Sequence, residues 1–205
     1  GASAAAAAAR FSDRVVAPVA RILDPGLAFA VEVFNEPESL SREVHPGRGL
    51  GWESIVRSIR TVRGVLHDLV PGIQVTSGCQ AVFLPGLLAD LATGGASPVD
   101  AVDIHVYRND GGLPYRSDLP VDIGDMPVIV GEAGSHEAGG NAEVMETYLY
   151  NARGLEYSAC FLWKLAGGDH LVTRSRDDSL GRDSFTRTPS GDAVRRLLHD
   201  HWRDR

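Results

Sequence analysis

Two glutamates carry most of the chemical interest of this sequence, because each stands where an apolar run stops. One lies in Phe34-Asn35-Glu36-Pro37-Glu38 and the other in Val130-Gly131-Glu132-Ala133-Gly134. A carboxylate at the end of an apolar strand is costly to desolvate unless it is paired, hydrogen-bonded or put to use. Between them lie His105 and Tyr107, two residues apart and so on one face of a strand. Trp163 sits in a later apolar run. Two carboxyl groups facing one crevice suit cleavage of a glycosidic bond. One gives a proton to the leaving oxygen while the other, ionised, attacks the anomeric carbon. A carboxyl separation of about 5–5.5 Å implies retention of configuration, and a wider gap inversion. Around such a pair an Asn can hold the sugar 2-hydroxyl and a Tyr can orient the nucleophile. A Trp offers its apolar face to a sugar ring.

Plainer roles exist for the same residues. Glu36 can cap a following helix, favoured there by up to about 1 kcal/mol through the helix dipole. His105 can be a hydrogen-bonded strand histidine, and Trp163 can be core. Trp52 and Trp202 lie on helical stripes and are expected to pack. His105, His136, Glu137, Asp169 and His170 form no recognised metal-ligand spacing, so neither a metal nor another cofactor is expected. Cys79 and Cys160 belong to no CxxC pair and are expected as buried thiols. The sequence has no Gly-x-Ser-x-Gly and no ordered Ser/Asp/His set, which argues against a serine hydrolase.

The elements that must position these residues follow from the spacing of apolar positions. Phe11–Leu23 has helical periodicity and is closed by Asp24-Pro25-Gly26. Leu27–Phe34 is a continuous run of strand length. Trp52–Leu69 is an amphipathic helix with Ile55, Ile59, Val62 and Leu66 on one stripe. Further along, strands are expected at Ile73–Thr76, Ala101–Tyr107, Met126–Val130 and Ser158–Leu165. Helices are expected at Leu84–Leu91, Asn141–Arg153 and Gly191–Trp202. The stretches Arg108–Asp125 and Ala166–Thr188 are the longest expected to be irregular. Apolar strands separated by helices predict an α/β fold with a parallel sheet of about five strands covered by helices. One domain is expected over residues 11–205, preceded by an alanine-rich segment, residues 1–10, without an assigned role. That segment carries no basic region before an apolar core and does not read as an intact secretion signal.

Composition narrows the classes further. The 205 residues are 43% hydrophobic and 23% charged, which excludes a disordered tail, a collagen-like fibre or a coiled coil. A net charge of −7 and a pI near 5.4 disfavour nucleic acid and anionic membrane surfaces as partners. No run reaches the roughly 18 apolar residues needed to span a bilayer.

The segments VEVFNEPE, DIHVY, PVIVGEAG and FLWK, in that order, resemble the fourth, sixth, seventh and eighth strands of the (β/α)8-barrel retaining glycoside hydrolases of the family-five type, which include cellulases and β-mannanases. The resemblance spans Leu27 to about Leu165. It implies a TIM-barrel type fold, apparently incomplete, since the helix Phe11–Leu23 would correspond to the one after the third strand and nothing here corresponds to the first three strands. It also implies Glu36 as acid/base and Glu132 as nucleophile, with Asn35 at the 2-hydroxyl. His105 and Tyr107 would line the site and Trp163 would floor a subsite. The implied partner is a β-glucan- or mannan-type oligosaccharide or another β-glycoside. Two open barrel edges imply a homo-oligomer or complementary strands that cover them. The alternative is a truncated relative that binds carbohydrate or acts as a scaffold without turnover.

Overall fold

The computed structural model describes residues 2–23, 30–47, 49–135, 142–163, 172–177, 182–187, 191–192 and 194–196. The chain divides into two compact units. One comprises residues 1–104 and 116–128, the other residues 105–115 and 129–205.

The first unit begins with helix α1, Ala2–Phe11, built from the alanine-rich segment, whose side chain is the best helix former. It passes through a π-helical turn, Ser12–Val16, into α2, Ala17–Ala20. The wide turn lies just ahead of Pro18, which lacks the N–H that an unbroken α-helix would direct at the carbonyl of Arg14. Val16 and Ala20 join Val62, Leu66, Val70, Ile73 and Val75 in one apolar cluster. Phe11, Val15, Val19 and Ile22 remain exposed. The helix expected from Phe11 thus extends back to Ala2.

Strand β1, Ala30–Asn35, runs parallel to β2, Gln74–Gln80, with Ala30 opposite Gln74 and Asn35 opposite Gly78. A bulge falls between Glu32 and Asn35. Strand β2 continues past its expected end at Thr76 through Ser77-Gly78-Cys79. Apolar periodicity stops there, but Ser77 still satisfies its buried hydroxyl by donating to the carbonyl of Phe34 at 2.9 Å. Between these strands, α3, Trp52–Leu69, buries Ile55, Val56, Ile59, Val62 and Leu66 as its stripe requires. Helix α4 covers only Leu84–Leu87 of the span expected to Leu91, and a 3-10 turn, Leu91–Thr93, follows.

Asp100 clasps these elements together. Its carboxylate accepts from Arg63 Nε at 2.9 Å and from the N–H of Val75 at 2.9 Å, and lies 2.8 Å from His67 Nε2. Burial acts to raise its pKa. Hydrogen bonds from Arg63, Val75 and His67 outweigh that effect and hold the carboxyl below the usual range.

Strand β3, Val102–Tyr107, belongs to both units. In the second unit it is followed by β4, Val128–Gly134, α5, Ala142–Gly154, and β5, Ala159–Leu162. β4 and β5 are parallel, with Ile129 opposite Ala159 and Val130 opposite Cys160. Met145, Leu149 and Val194 form the core there, with Cys160 and Leu162 against it. The strand order is β1-β2-β3-β4-β5. Five consecutive parallel strands, joined by helices except between β3 and β4, where only a 3-10 turn, Arg116–Asp118, is formed, make this an α/β fold of incomplete (β/α)8 type.

One region differs from expectation. Residues 166–188 are not irregular throughout, because β6, Val172–Asp177, and β7, Arg182–Arg187, form an antiparallel pair with Arg174 opposite Phe185. Arg, Asp, Ser and Thr dominate both strands, so no apolar alternation marks them. Of the helix expected at Gly191–Trp202, residues 191–192 and 194–196 are helical and the rest, with Trp202, lies outside the described residues. No helix among the described residues is long and apolar enough to cross a membrane.

Candidate active site

Glu36 directly follows β1, and its backbone is the first unusual feature. It adopts φ 49 and ψ 61, the left-handed region that a residue with a Cβ seldom enters. The chain has reason to turn there. Pro37 opens a 3-10 turn, Pro37–Leu40, and a residue before proline is steered away from the right-handed helical region. The Glu36 N–H donates to the carbonyl of Gly78 at 2.8 Å, which anchors the residue to β2. No side-chain capping hydrogen bond from Glu36 accompanies that turn. Strain of this kind persists where the surroundings impose it and is common at functional sites.

Around Glu36 the first unit gathers more acid than the sequence patterning suggests. Glu38 is buried, and its Oε1 accepts from the N–H of Gln80 at 3.1 Å. Asp103 is buried as well. The thiol of Cys79 is pushed far up, first by burial and then by the charges of Glu38, Asp103 and Glu36. Such a thiol is inert. Cys160, half-buried in the second unit, is pushed up to about 12 by burial. Asn35, the last residue of β1, is exposed.

In the second unit the expected residues do come together. Tyr107 donates its phenolic hydrogen to Oε2 of Glu132. Buried His105 lies on the same face of β3, its Nδ1 3.8 Å from the same oxygen. Glu132 lies within β4, whose end falls later than the expected Val130, so its carboxylate is held by a hydrogen-bonded strand. Gly134 is closely approached by its neighbours. A Cβ there would lie 3.0 Å from the Trp163 carbonyl oxygen and 3.2 Å from Cδ1 of the Tyr107 ring. Trp163 follows β5 and is about half exposed, and its backbone N–H donates to the carbonyl of Ala133 at 2.7 Å.

Sequence reasoning missed Glu38 and Asp103. For Asp103 a signal existed, since it precedes His105 by two and shares its strand face. His136, Glu137, Asp169 and His170, weighed as metal ligands, lie outside the described residues.

No protein-family model matches the chain, and no curated protein matches it. Solved structures do. A β-1,4-mannanase from the sea hare Aplysia kurodai matches with a TM-score of 0.54 at 16% identity, over 76% of this chain and 54% of that one. The AHE enzyme from Alicyclobacillus herbarius matches with a TM-score of 0.65 at 14% identity, over 96% of this chain and 69% of that one. A β-glucosidase from Thermotoga maritima gives 0.56 at 12%, over 90% and 67%. The chain spans about half the length of the mannanases it resembles. At these identities the likeness shows the fold.

Proposed function

We propose that the chain carries the catalytic residues of a retaining β-glycoside hydrolase, with Glu132 as nucleophile and Glu36 as acid/base. The observation that carries this reading is the Tyr107–Glu132 hydrogen bond. It aims a strand-borne carboxylate by fixing one of its oxygens. Glu36, at the C-terminal end of β1 in a strained backbone conformation, supports the second role. In the first step Glu132 attacks the anomeric carbon while Glu36 gives its proton to the departing glycosidic oxygen. In the second, Glu36 takes a proton from water as that water displaces Glu132 from the glycosyl-enzyme ester. Asn35 accepts or donates at the sugar 2-hydroxyl, His105 lines the site, and the exposed indole of Trp163 stacks on a sugar ring. The names of the mannanases and of the β-glucosidase that share the fold support a β-glycoside as substrate.

A 2-deoxy-2-fluoro aryl glycoside tests the assignment. Mass spectrometry of the digested protein is expected to find the sugar on the peptide containing Glu132. Glu132→Gln and Glu36→Gln are each expected to abolish turnover of an aryl β-glycoside. An unlabelled protein, or unchanged rates in either variant, ends the reading. A second reading is a carbohydrate-binding or scaffold domain without turnover. Sugar binding by an inactive wild-type chain would select it.

The reading extends to a partner. β1 stands at one end of the strand order, and Phe11, Val15, Val19 and Ile22 are exposed on the helix before it. A complementary βα segment, like the portion of the mannanases beyond the matched half, would cover both surfaces.

A further inference from the structure

We propose that Tyr148 is a positioning residue that aligns Tyr107 with Glu132 by clamping the backbone just beyond both. The inference rests on the reading of Glu132 as nucleophile for its catalytic meaning, and on geometry alone for the clamp.

Tyr148 lies on α5 and is fully buried. Its phenolic oxygen accepts from the N–H of Arg108 at 2.6 Å. The same hydroxyl lies 2.9 Å from the carbonyl oxygen of Arg108 and 2.9 Å from that of Gly134. With one hydrogen, it donates to one of these carbonyls at a time while accepting from the amide. Arg108 directly follows Tyr107, and Gly134 lies two residues beyond Glu132. One oxygen atom therefore ties together the ends of the two strands that carry the hydrogen-bonded pair.

The surroundings reinforce the clamp. The N–H of Arg108 also reaches the Gly134 carbonyl at 3.1 Å, and Ser135 Oγ donates to Asn109 Oδ1 at 2.9 Å. Nearly one turn along α5 from Tyr148, Asn151 Nδ2 donates to the Gly111 carbonyl at 2.9 Å. Gly111 has φ +66, and a Cβ there would lie 2.7 Å from Thr147, so the loop after β3 is seated directly on the helix. A phenylalanine would fill the apolar space of Tyr148 equally well. What it lacks is the oxygen on which the backbone groups converge. Burial pushes the Tyr148 phenol up to about 12, so it keeps its hydrogen throughout the working pH range.

Tyr148→Phe tests the clamp by removing one oxygen. It is expected to lower kcat on an aryl β-glycoside roughly 10- to 100-fold, as small misplacements of reacting groups do, with KM changed less than about twofold. Adding Tyr107→Phe in that background is expected to lower kcat little further, because residues acting through one another are non-additive. Independent multiplicative losses would overturn the proposal. Carbon-13 NMR with Cζ-labelled tyrosine gives a readout that needs no turnover. Glu132→Gln is expected to move the Tyr107 resonance in the wild type but not in Tyr148→Phe. An equal response in both backgrounds overturns the clamp. If Tyr148→Phe does not fold, the reciprocal measurement suffices: Tyr107→Phe moves the Tyr148 resonance if the two are coupled, and an unmoved signal overturns the proposal. A wild type without turnover that shows the NMR coupling defeats the hydrolase reading and leaves the clamp standing.

Discussion

Tyr107 and Glu132, on β3 and β4, share a hydrogen bond in which the phenol donates to Oε2 of the carboxylate. A hydrogen bond to a charged group contributes about 1.5–3 kcal/mol, and a tenfold rate change corresponds to about 1.4 kcal/mol. Tyr107→Phe, which keeps the ring against Gly134, is therefore expected to lower kcat roughly 10- to 100-fold on an aryl β-glycoside. Steady-state kinetics of the folded variant check this. A loss below twofold would mean that the bond does nothing for the reaction.

The Asp100 clasp predicts how stability depends on pH. Its folded pKa is depressed by hydrogen bonds from Arg63, Val75 and His67, which outweigh the opposing effect of burial. A depressed carboxyl contributes stability that is fully present above the unfolded value, about 3.9, and is lost as pH falls through the lower folded value. Asp100→Asn should thus lower Tm at pH 7, by an amount that shrinks as pH falls below about 3.9. Calorimetry across that range decides it, and a constant difference would show that the charge is not what holds the clasp.

The exposed row Phe11, Val15, Val19 and Ile22 predicts association of the isolated chain. Sedimentation at tens of micromolar is expected to show species larger than a monomer, and Val15→Glu with Val19→Glu to shift the distribution toward the monomer. A clean wild-type monomer would remove the case for a covering partner.

How much of this was legible in the sequence depended on whether apolar side chains did the work. The stripe of α3 and the apolar body of β3 announced themselves, because Ile55, Ile59, Val62 and Leu66 must be buried together and Val102, Ile104 and Val106 must alternate with polar neighbours. The hairpin of β6 and β7 did not, since its backbone pairing is independent of its charged side chains. The candidate site was legible through residue types where apolar runs stop, Glu36 and Glu132 above all. Glu38 and Tyr148 were not. The burial of one is set by a turn after the strand, and the role of the other by a helix distant in sequence.

The left-handed backbone of Glu36 gives the last prediction, because strain at a residue proposed to be catalytic separates stability from activity. With φ 49, any residue bearing a Cβ is strained there, whereas glycine is not. Glu36→Ala and Glu36→Gly both remove the carboxyl, so both are expected to be inactive. Their stabilities should differ, because alanine keeps the steric cost of the left-handed conformation, about 1–2 kcal/mol. Glycine sheds that cost but adds roughly 0.5–1 kcal/mol through the greater freedom of its unfolded chain. Glu36→Gly is therefore expected to be the more stable of the two, by up to about 1.5 kcal/mol, measured as the difference in urea midpoints at equal slope. If alanine proves clearly the more stable, the backbone at Glu36 is not left-handed in solution, and the argument that strain marks this residue for catalysis falls with it.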